Sequence, residues 1–277
     1  MSAAPDPMIG KTIGNYEVLS KLGQGGVGTV YLGRSSTGQH VAIKMLHDHL
    51  TKQDRARSRF LREAEVLSRL KHPGIVQVLD FLQLPEGFFM VLEFVRGETL
   101  ESGVRRLGCF SWSRAVPWFN ESLDSLEYAH NQGIIHRDVK PANMLIQMNG
   151  KMKLLDFGMA KLKDARQQLT APGMTLGTIA YMSKEQLLGK PLDVRSDFYS
   201  LGVSLYEVVT GNLPFWSEND RELAIQIART KPKLPSIRVP KLAGKPEQVI
   251  LKAMNKAPED RFQDVATFKA AMLESLT

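Results

Sequence analysis

One cysteine in 277 residues, Cys109, leaves nothing for an internal disulfide framework or a cysteine-rich zinc site. A reducing compartment fits that usage. No stretch reaches the roughly 18 consecutive apolar residues that mark a membrane-spanning helix. The opening residues, Met1 to Gly10, hold two prolines and an acid and do not read as a secretory leader. The expectation is a soluble, cytoplasmic protein with no membrane span in this chain. Internal repeats and low-complexity tracts are also missing. Acids are outnumbered, 29 against 36 Lys and Arg, for a formal net charge of +7. The densest acid-free stretch carries Arg229, Lys231, Lys233, Arg238, Lys241 and Lys245, interleaved with Pro232, Pro235, Pro240 and Pro246. Those prolines make it a solvated loop rather than a face for an acidic partner or anionic lipid. No nucleic-acid-binding motif accompanies it, so nucleic acid is not an expected partner.

What is present is an ordinary globular composition, 43% hydrophobic and 23% charged, long enough to bury a substantial core. The first hundred residues read mostly as strands: Tyr16 to Leu22, Thr29 to Gly33, Val41 to Leu46, Ile75 to Phe81 and Phe88 to Phe94. One helix interrupts them over Asp54 to Leu70, with Phe60, Ala64, Leu67 and Leu70 at helical spacing. Residues 1–15 are expected to be a flexible N-terminal segment. After Gly97 the pattern changes. Val116, Phe119, Leu123 and Leu126 mark one helix face that ends near Gly133. Two short apolar runs follow, Asn143 to Gln147 and Met152 to Leu155, and helical patterns dominate from Asp197 onward. The fold class is α+β and bilobal: a small five-stranded antiparallel lobe with one helix (16–95), a hinge near Glu93 to Gly97, and a larger, mainly helical lobe (96–277). Ligands favour such junctions.

Several segments carry chemistry. Gly23-Gln24-Gly25-Gly26-Val27-Gly28-Thr29-Val30 fits G-x-G-x-x-G-x-V, and glycine lets a backbone approach phosphates. Strands on both sides, with no helix after the third glycine, argue against a dinucleotide fingerprint. A hairpin over a nucleotide and a glycine-rich hairpin without ligand both remain. Gly10-Lys11-Thr12 ends like a Walker A loop, but its first glycine position is Pro5 and no strand precedes it. Lys44 lies inside the apolar strand Val41-Ala42-Ile43-Lys44 on the same face as Ala42. It either snorkels to water or pairs with a carboxylate. Glu63 is the candidate acid, because it shares the apolar helix face with Phe60 and Leu67. In His136-Arg137-Asp138-Val139-Lys140-Pro141-Ala142-Asn143, Asp138 suits accepting a hydroxyl proton, Asn143 suits a hard cation, and Lys140 suits neutralising a phosphoryl. Asp156-Phe157-Gly158 ends a strand; alone it reads as a turn-capping Asp, and in company it suits Mg²⁺.

In this order the motifs resemble the eukaryotic-type (Hanks-type) protein kinase catalytic domain, over roughly Tyr16 to Leu276. Arg62-Glu63-Ala64, Tyr181-Met182-Ser183 with Glu185-Gln186, and Pro258-Glu259-Asp260-Arg261-Phe262 are similar to bacterial serine/threonine kinases in particular. The resemblance implies transfer of the γ-phosphate of ATP to Ser or Thr of protein substrates in signal transduction, with Mg²⁺. Lys44 would contact the α/β-phosphates and pair with Glu63, Asp138 would be the base, and Asn143 and Asp156 would hold Mg²⁺. Leu22, Val30, Ala42 and Leu145 would enclose the adenine. Leu92 would be the gatekeeper, with Glu93 and Val95 offering hinge backbone groups. The remaining loop positions, Gly23 to Thr29, would cover the phosphates. Lys140 is the serine/threonine mark, Thr178 would line the hydroxyl site, Asp197 would brace the catalytic loop, and Glu185 with Arg261 would form a structural ion pair.

Two positions depart from the family pattern: Lys184 and Ile179 stand where proline is usual, which bears on peptide specificity and activation-loop shape. Arg137 before Asp138 is the pattern of kinases switched on by loop phosphorylation, with Thr170 the first candidate and Thr175 the second. Similar bacterial kinases make small-lobe dimers, so a monomer or weak homodimer is expected. The alternative is a catalytically silent, kinase-like nucleotide-binding or scaffold module. The presence of Lys44, Asp138, Asn143 and Asp156 weighs against it. A small-molecule phosphotransferase is disfavoured by the Ser-x-Glu-Gln segment and the Asp197 helix.

Overall fold

The computed structural model describes residues 6–25, 28–46, 67–157 and 176–277. They divide into two compact units, Met1–His72 with Val76–Val95, and Pro73–Ile75 with Arg96–Thr277.

The first unit is built on an antiparallel sheet of strands β1 (Thr12–Ile13), β2 (Tyr16–Gln24), β3 (Gly28–Ser35), β4 (His40–Leu46), β5 (Val78–Leu84) and β6 (Gly87–Glu93), in the order β1-β2-β3-β4-β6-β5. Alternation decides its two faces. Tyr31, Ile43 and Val91 stand in register and are buried with Val18, Val41, Phe89, Met8 and Ile13. Val30, Lys44 and Met90 stand in register on the other face, next to the row Leu32, Ala42 and Leu92. The expected sheet had five strands; β1 is the sixth.

That extra strand corrects the expectation of a flexible segment over 1–15. From Asp6 onward the chain is packed: Met8 and Ile13 enter the core, and Thr12 and Ile13 pair with Glu17 and Tyr16. The Asp6 carboxylate accepts from the Met8 amide at 3.0 Å and from the Tyr31 hydroxyl at 3.2 Å. Met8 and Ile13 stand five positions apart in a short stretch without periodicity, and Ile9 beside Met8 is exposed, so only tertiary contacts reveal which are buried. A second correction concerns Ile75, which was assigned to a strand over Ile75 to Phe81. The strand begins at Val78, and Ile75 instead bridges Leu154 in the second unit. Of the helix expected over Asp54 to Leu70, only its last residues are described, with Leu67 and Leu70 buried.

The second unit combines a small antiparallel sheet, β7 (Gly97–Thr99), β8 (Met144–Gln147) and β9 (Met152–Leu154), with helices. Helix α1 (Leu100–Leu107) is capped by Thr99, whose hydroxyl accepts from the Ser102 amide. Helix α2 (Trp112–Asn131) buries Val116, Phe119, Leu123 and Leu126, the face its periodicity predicts. Two short helices follow, α3 (Leu176–Ile179) and α4 (Lys184–Leu187). Helix α5 (Arg195–Thr210) is buried almost all round, as befits the centre of a helical layer. Helices α6 (Asp220–Arg229), α7 (Pro235–Arg238), α8 (Lys245–Ala253) and α9 (Val265–Glu274) complete the unit. Phe268 of α9 stacks on Phe262 at 4.2 Å and meets Phe198 of α5 edge-on. The basic stretch from Arg229 to Lys245 is exposed at each of its six cations. It is not a plain loop, because Pro235 and Pro240 each start a helical turn, the position proline favours. Among the described residues no helix is long and apolar enough to cross a membrane.

Candidate active site

In the first unit, the β2–β3 hairpin carries the glycine cluster. Gly23 pairs with Val30 and Gln24 with Thr29, and the Gly25 amide donates to the Gly28 carbonyl at 2.9 Å. Gly26 and Val27 lie outside the described residues. The glycines are there for two different reasons. A Cβ on Gly28 would sit 2.1 Å from the Met45 carbonyl oxygen, so the sheet itself demands glycine. A Cβ on Gly23 or Gly25 would meet nothing within 4 Å among the described residues. Packing therefore does not require glycine at those two, and the open space fits a phosphate chain laid against bare backbone. Leu22 is exposed at the β2 irregularity. Lys44 is buried at 5% exposure on the face it shares with Val30, Ala42 and Leu92. Leu32 and Met90 stand on that face too, and the strand periodicity of the sequence already implied it. Glu63 lies outside the described residues. The Glu93 amide donates to the Gln77 carbonyl at 3.0 Å, and the Glu93 carboxylate accepts from the Gln77 amide at 2.9 Å. Val95 ends the unit.

In the second unit, the segment from His136 to Asn143 is held by Asp197 of α5. Its carboxylate accepts from the His136 amide at 2.9 Å and the Arg137 amide at 2.8 Å, and meets His130 Nε2 at 2.7 Å. This brace supports Arg137 at φ 67°, a strained value for a non-glycine residue. Gln186 of α4 adds an N–H to the Arg137 carbonyl at 2.9 Å. The sequence does not single out His130, and it marks Gln186 only as part of the Glu185-Gln186 resemblance, without this role. His130 sits on the buried face of α2, four and seven residues beyond Leu126 and Leu123, and that spacing is the available signal.

The brace gathers three polar groups. Lys140 Nζ lies 2.9 Å from Asp138 Oδ2 and donates to the Thr178 hydroxyl at 3.2 Å. Asn143 Nδ2 donates to the Asp138 carbonyl at 2.8 Å and to Asp138 Oδ2 at 3.0 Å. With its nitrogen so committed, Asn143 keeps Oδ1 for a hard cation, which fits Mg²⁺. The Leu155 amide donates to the Asn143 carbonyl at 2.9 Å, which brings Asp156 next to the same loop. Asp156 also takes a positive φ, 57°, turning the chain as the strand ends. Phe157 packs on the His136 ring at 4.3 Å, and His136 Nε2 meets the Leu155 carbonyl at 2.9 Å. Gly158 and the candidate phosphorylation sites Thr170 and Thr175 lie outside the described residues. Leu145 is half-buried on β8 opposite Lys153.

The two departures also have places. Lys184 is the first residue of α4, where a free N–H is tolerated as readily as proline's missing one, and Ser183 with Gln186 closes a capping box. Ile179 is buried at 1% exposure. Behind them, Arg261 grips Glu185 with both terminal nitrogens, at 2.6 and 2.9 Å. Burial pushes the Glu185 carboxyl up, but the Arg261 hydrogen bonds and charge, with the Ser196 hydroxyl, more than offset this and hold it down to about 2. Tyr181 donates to Glu207 inside the same layer.

An aspartate linked to a lysine and a metal-suited amide, on a loop braced by the Asp197 carboxylate and beside a positive-φ aspartate, is the arrangement of a phosphoryl-transfer class of site. The protein kinase domain model matches residues 16–273, and the chain belongs to that family. It is 39% identical to the serine/threonine-protein kinase Pkn1 of Myxococcus xanthus, over 99% of this chain and 40% of that protein. It is 38% identical to PknB of Mycobacterium tuberculosis, over 93% of this chain and 42% of PknB. The crystal structure of the Mycobacterium tuberculosis PknI kinase domain superposes with a TM-score of 0.76 at 28% identity, covering 96% of this chain and 98% of that one. The chain spans about half or less of the length of the curated relatives, 40% for Pkn1 and 51% for pkn3 of Myxococcus xanthus.

Proposed function

We propose that this chain is an active serine/threonine protein kinase that moves the γ-phosphoryl group of ATP to Ser or Thr hydroxyls of proteins. The observation that carries the reading is the joined set Asp138, Lys140 and Asn143, with Thr178 on the far side of Lys140. Asp138 orients the substrate hydroxyl and takes its proton as the oxygen bonds to phosphorus and the bridge to the β-phosphate breaks. Lys140 balances the negative charge spread over the transferring group. Asn143 Oδ1 and Asp156 hold Mg²⁺, which when bound neutralises the phosphates. Gly23 and Gly25 leave space for the phosphate chain, and Lys44 supplies an ammonium on the sheet face that carries Val30, Ala42 and Leu92. The same ligand is assigned to Leu22, Glu93, Val95 and Leu145 by family resemblance. The lobe division 16–95 and 96–277, activation through Thr170 or Thr175, and a cytoplasmic location belong to this reading.

The test is transfer of label from γ-³²P-ATP with Mg²⁺ to a generic basic protein, beside Asp138→Asn. Phosphoserine or phosphothreonine made by the wild type and lost by at least about a hundredfold in the variant is the expected result. ATP binding without transfer by the wild type would instead favour the silent nucleotide-binding module.

A further inference from the structure

On the second unit, away from the residues assigned to phosphoryl transfer, a cavity of about 430 Å³ is lined by α4, the loop that follows it, and the turn at Pro258. Its charges do not cancel locally. Of its acids, Glu185 is taken by Arg261, and Asp193 by Arg195 at 2.6 Å. Glu259 is the one acid left in the lining, against the ammonium groups of Lys184, Lys190 and Lys256, none of which has an ion-pair partner among the described residues. Lys256 is the unusual member. Its Nζ is buried without a hydrogen-bond acceptor among the described residues and lies 4.3 Å from the centre of the Phe215 ring. Burial, then the charges of Arg261 and Lys184, push its ammonium down to about 8. The Tyr199 hydroxyl, in the same cluster, is likewise buried without a hydrogen-bond partner among the described residues. The cost of a buried, unpaired ammonium is relieved by an anion. The remaining lining is apolar, Leu188, Pro191, Ala257 and Pro258, with Leu188 54% exposed. A bare ion has no use for such a rim; an apolar residue beside an anionic one does.

We infer that this cavity docks a polypeptide segment through an anionic side chain, carboxylate or phosphoryl, held by Lys184 and Lys190 over the buried positive charge of Lys256 and flanked by an apolar residue against Leu188. The site holds whether or not the chain transfers phosphate, because binding is read directly.

The probes are three seven-residue peptides with leucine beside phosphoserine, glutamate or serine, and inorganic phosphate, titrated calorimetrically into the whole chain. The phosphoserine or glutamate peptide should bind and the serine peptide at least about tenfold more weakly, the scale of one charge-assisted hydrogen bond. If only the phosphoserine peptide binds, the anion is a phosphoryl group. The double variant Lys184→Ala, Lys190→Ala changes half-buried and exposed positions and should cost a further tenfold or so. Lys256→Met should do the same if it folds. Equal binding of the serine peptide, affinity unmoved in the double variant, phosphate alone binding as tightly as the peptides, or no binding at all would each overturn the inference.

Discussion

Arg261 is fully buried, and replacing it with methionine keeps its bulk while removing its charge. In the wild type the guanidinium makes five hydrogen bonds: two to Glu185, and one each to the carbonyls of Asn255 (2.8 Å), Arg195 (3.0 Å) and Lys256 (3.2 Å). The variant leaves the Glu185 carboxylate with only the Ser196 hydroxyl, in a place too dry for a lone charge. Breaking one side of a buried pair costs about 3–5 kcal/mol. The depression of the Glu185 carboxyl to about 2, well below the usual carboxylate range, points the same way. The sign follows from that direction. A depressed carboxyl contributes stability that is complete above about pH 4.5 and is lost as pH falls toward 2. In the variant, burial is opposed only weakly, chiefly by the Ser196 hydroxyl, and favours the protonated acid, so acid relieves it. All three tryptophans, Trp112, Trp118 and Trp216, lie in the second unit, so their fluorescence reports its unfolding in urea. Arg261→Met should lower the midpoint by about 2 M at pH 7, and the gap to wild type should narrow between pH 7 and pH 3. Adding Glu185→Leu should recover part of the loss. An unchanged midpoint at pH 7, or a gap constant across that pH range, would refute the argument.

Three further outcomes are expected. Gly28→Ala should destabilise the first unit by about 2 kcal/mol or more, since its Cβ has a backbone oxygen at 2.1 Å, whereas Gly23→Ala should leave stability alone and raise KM for ATP; circular-dichroism melts and steady-state kinetics separate the two. Asp197→Asn swaps one acceptor for a donor among three hydrogen bonds, so kcat should fall about tenfold or more with the fold intact, and a wild-type kcat would count against the brace. Tyr181→Phe strands the half-buried Glu207 carboxyl, already pushed up by burial, and should lower the urea midpoint of tryptophan fluorescence by about 1 kcal/mol equivalent.

Much of this was legible before any coordinates. The sheet strands appear because alternating apolar residues must share a face, and Val30, Ala42, Lys44 and Leu92 fall into register as a result. Asp138, Lys140 and Asn143 sit close in sequence, so a short loop is enough to bring them together. What was not legible depends on distant partners. Gly28 looks like its neighbours in the glycine run, and only the approach of β4 separates a glycine the sheet needs from those it does not. Gln186 reaches Arg137 across 49 positions, a contact with no local periodicity to announce it. Ile75 was read with its neighbours as strand because apolar runs do not reveal which unit they will join. The Lys256 cluster was silent for the same reason: a lysine among prolines and acids reads as solvated until Phe215 is found beneath it.

The packing of Asp6 to Ile13 also bears on how the sheet avoids its own copies. Strand β2 would otherwise end the sheet with open amides and carbonyls, a template for pairing with a neighbouring chain. Residues 10–13 occupy that edge: the Gly10 amide donates to the Val18 carbonyl, the Val18 amide to the Lys11 carbonyl, and Thr12 and Ile13 pair beyond them. The match to the kinase family starts only at residue 16. A chain cut at that boundary would satisfy every sequence criterion for a complete catalytic domain. It would nonetheless carry an uncovered strand and a gap where Met8 and Ile13 had been, so it would be a candidate for self-association and not a smaller version of the same molecule.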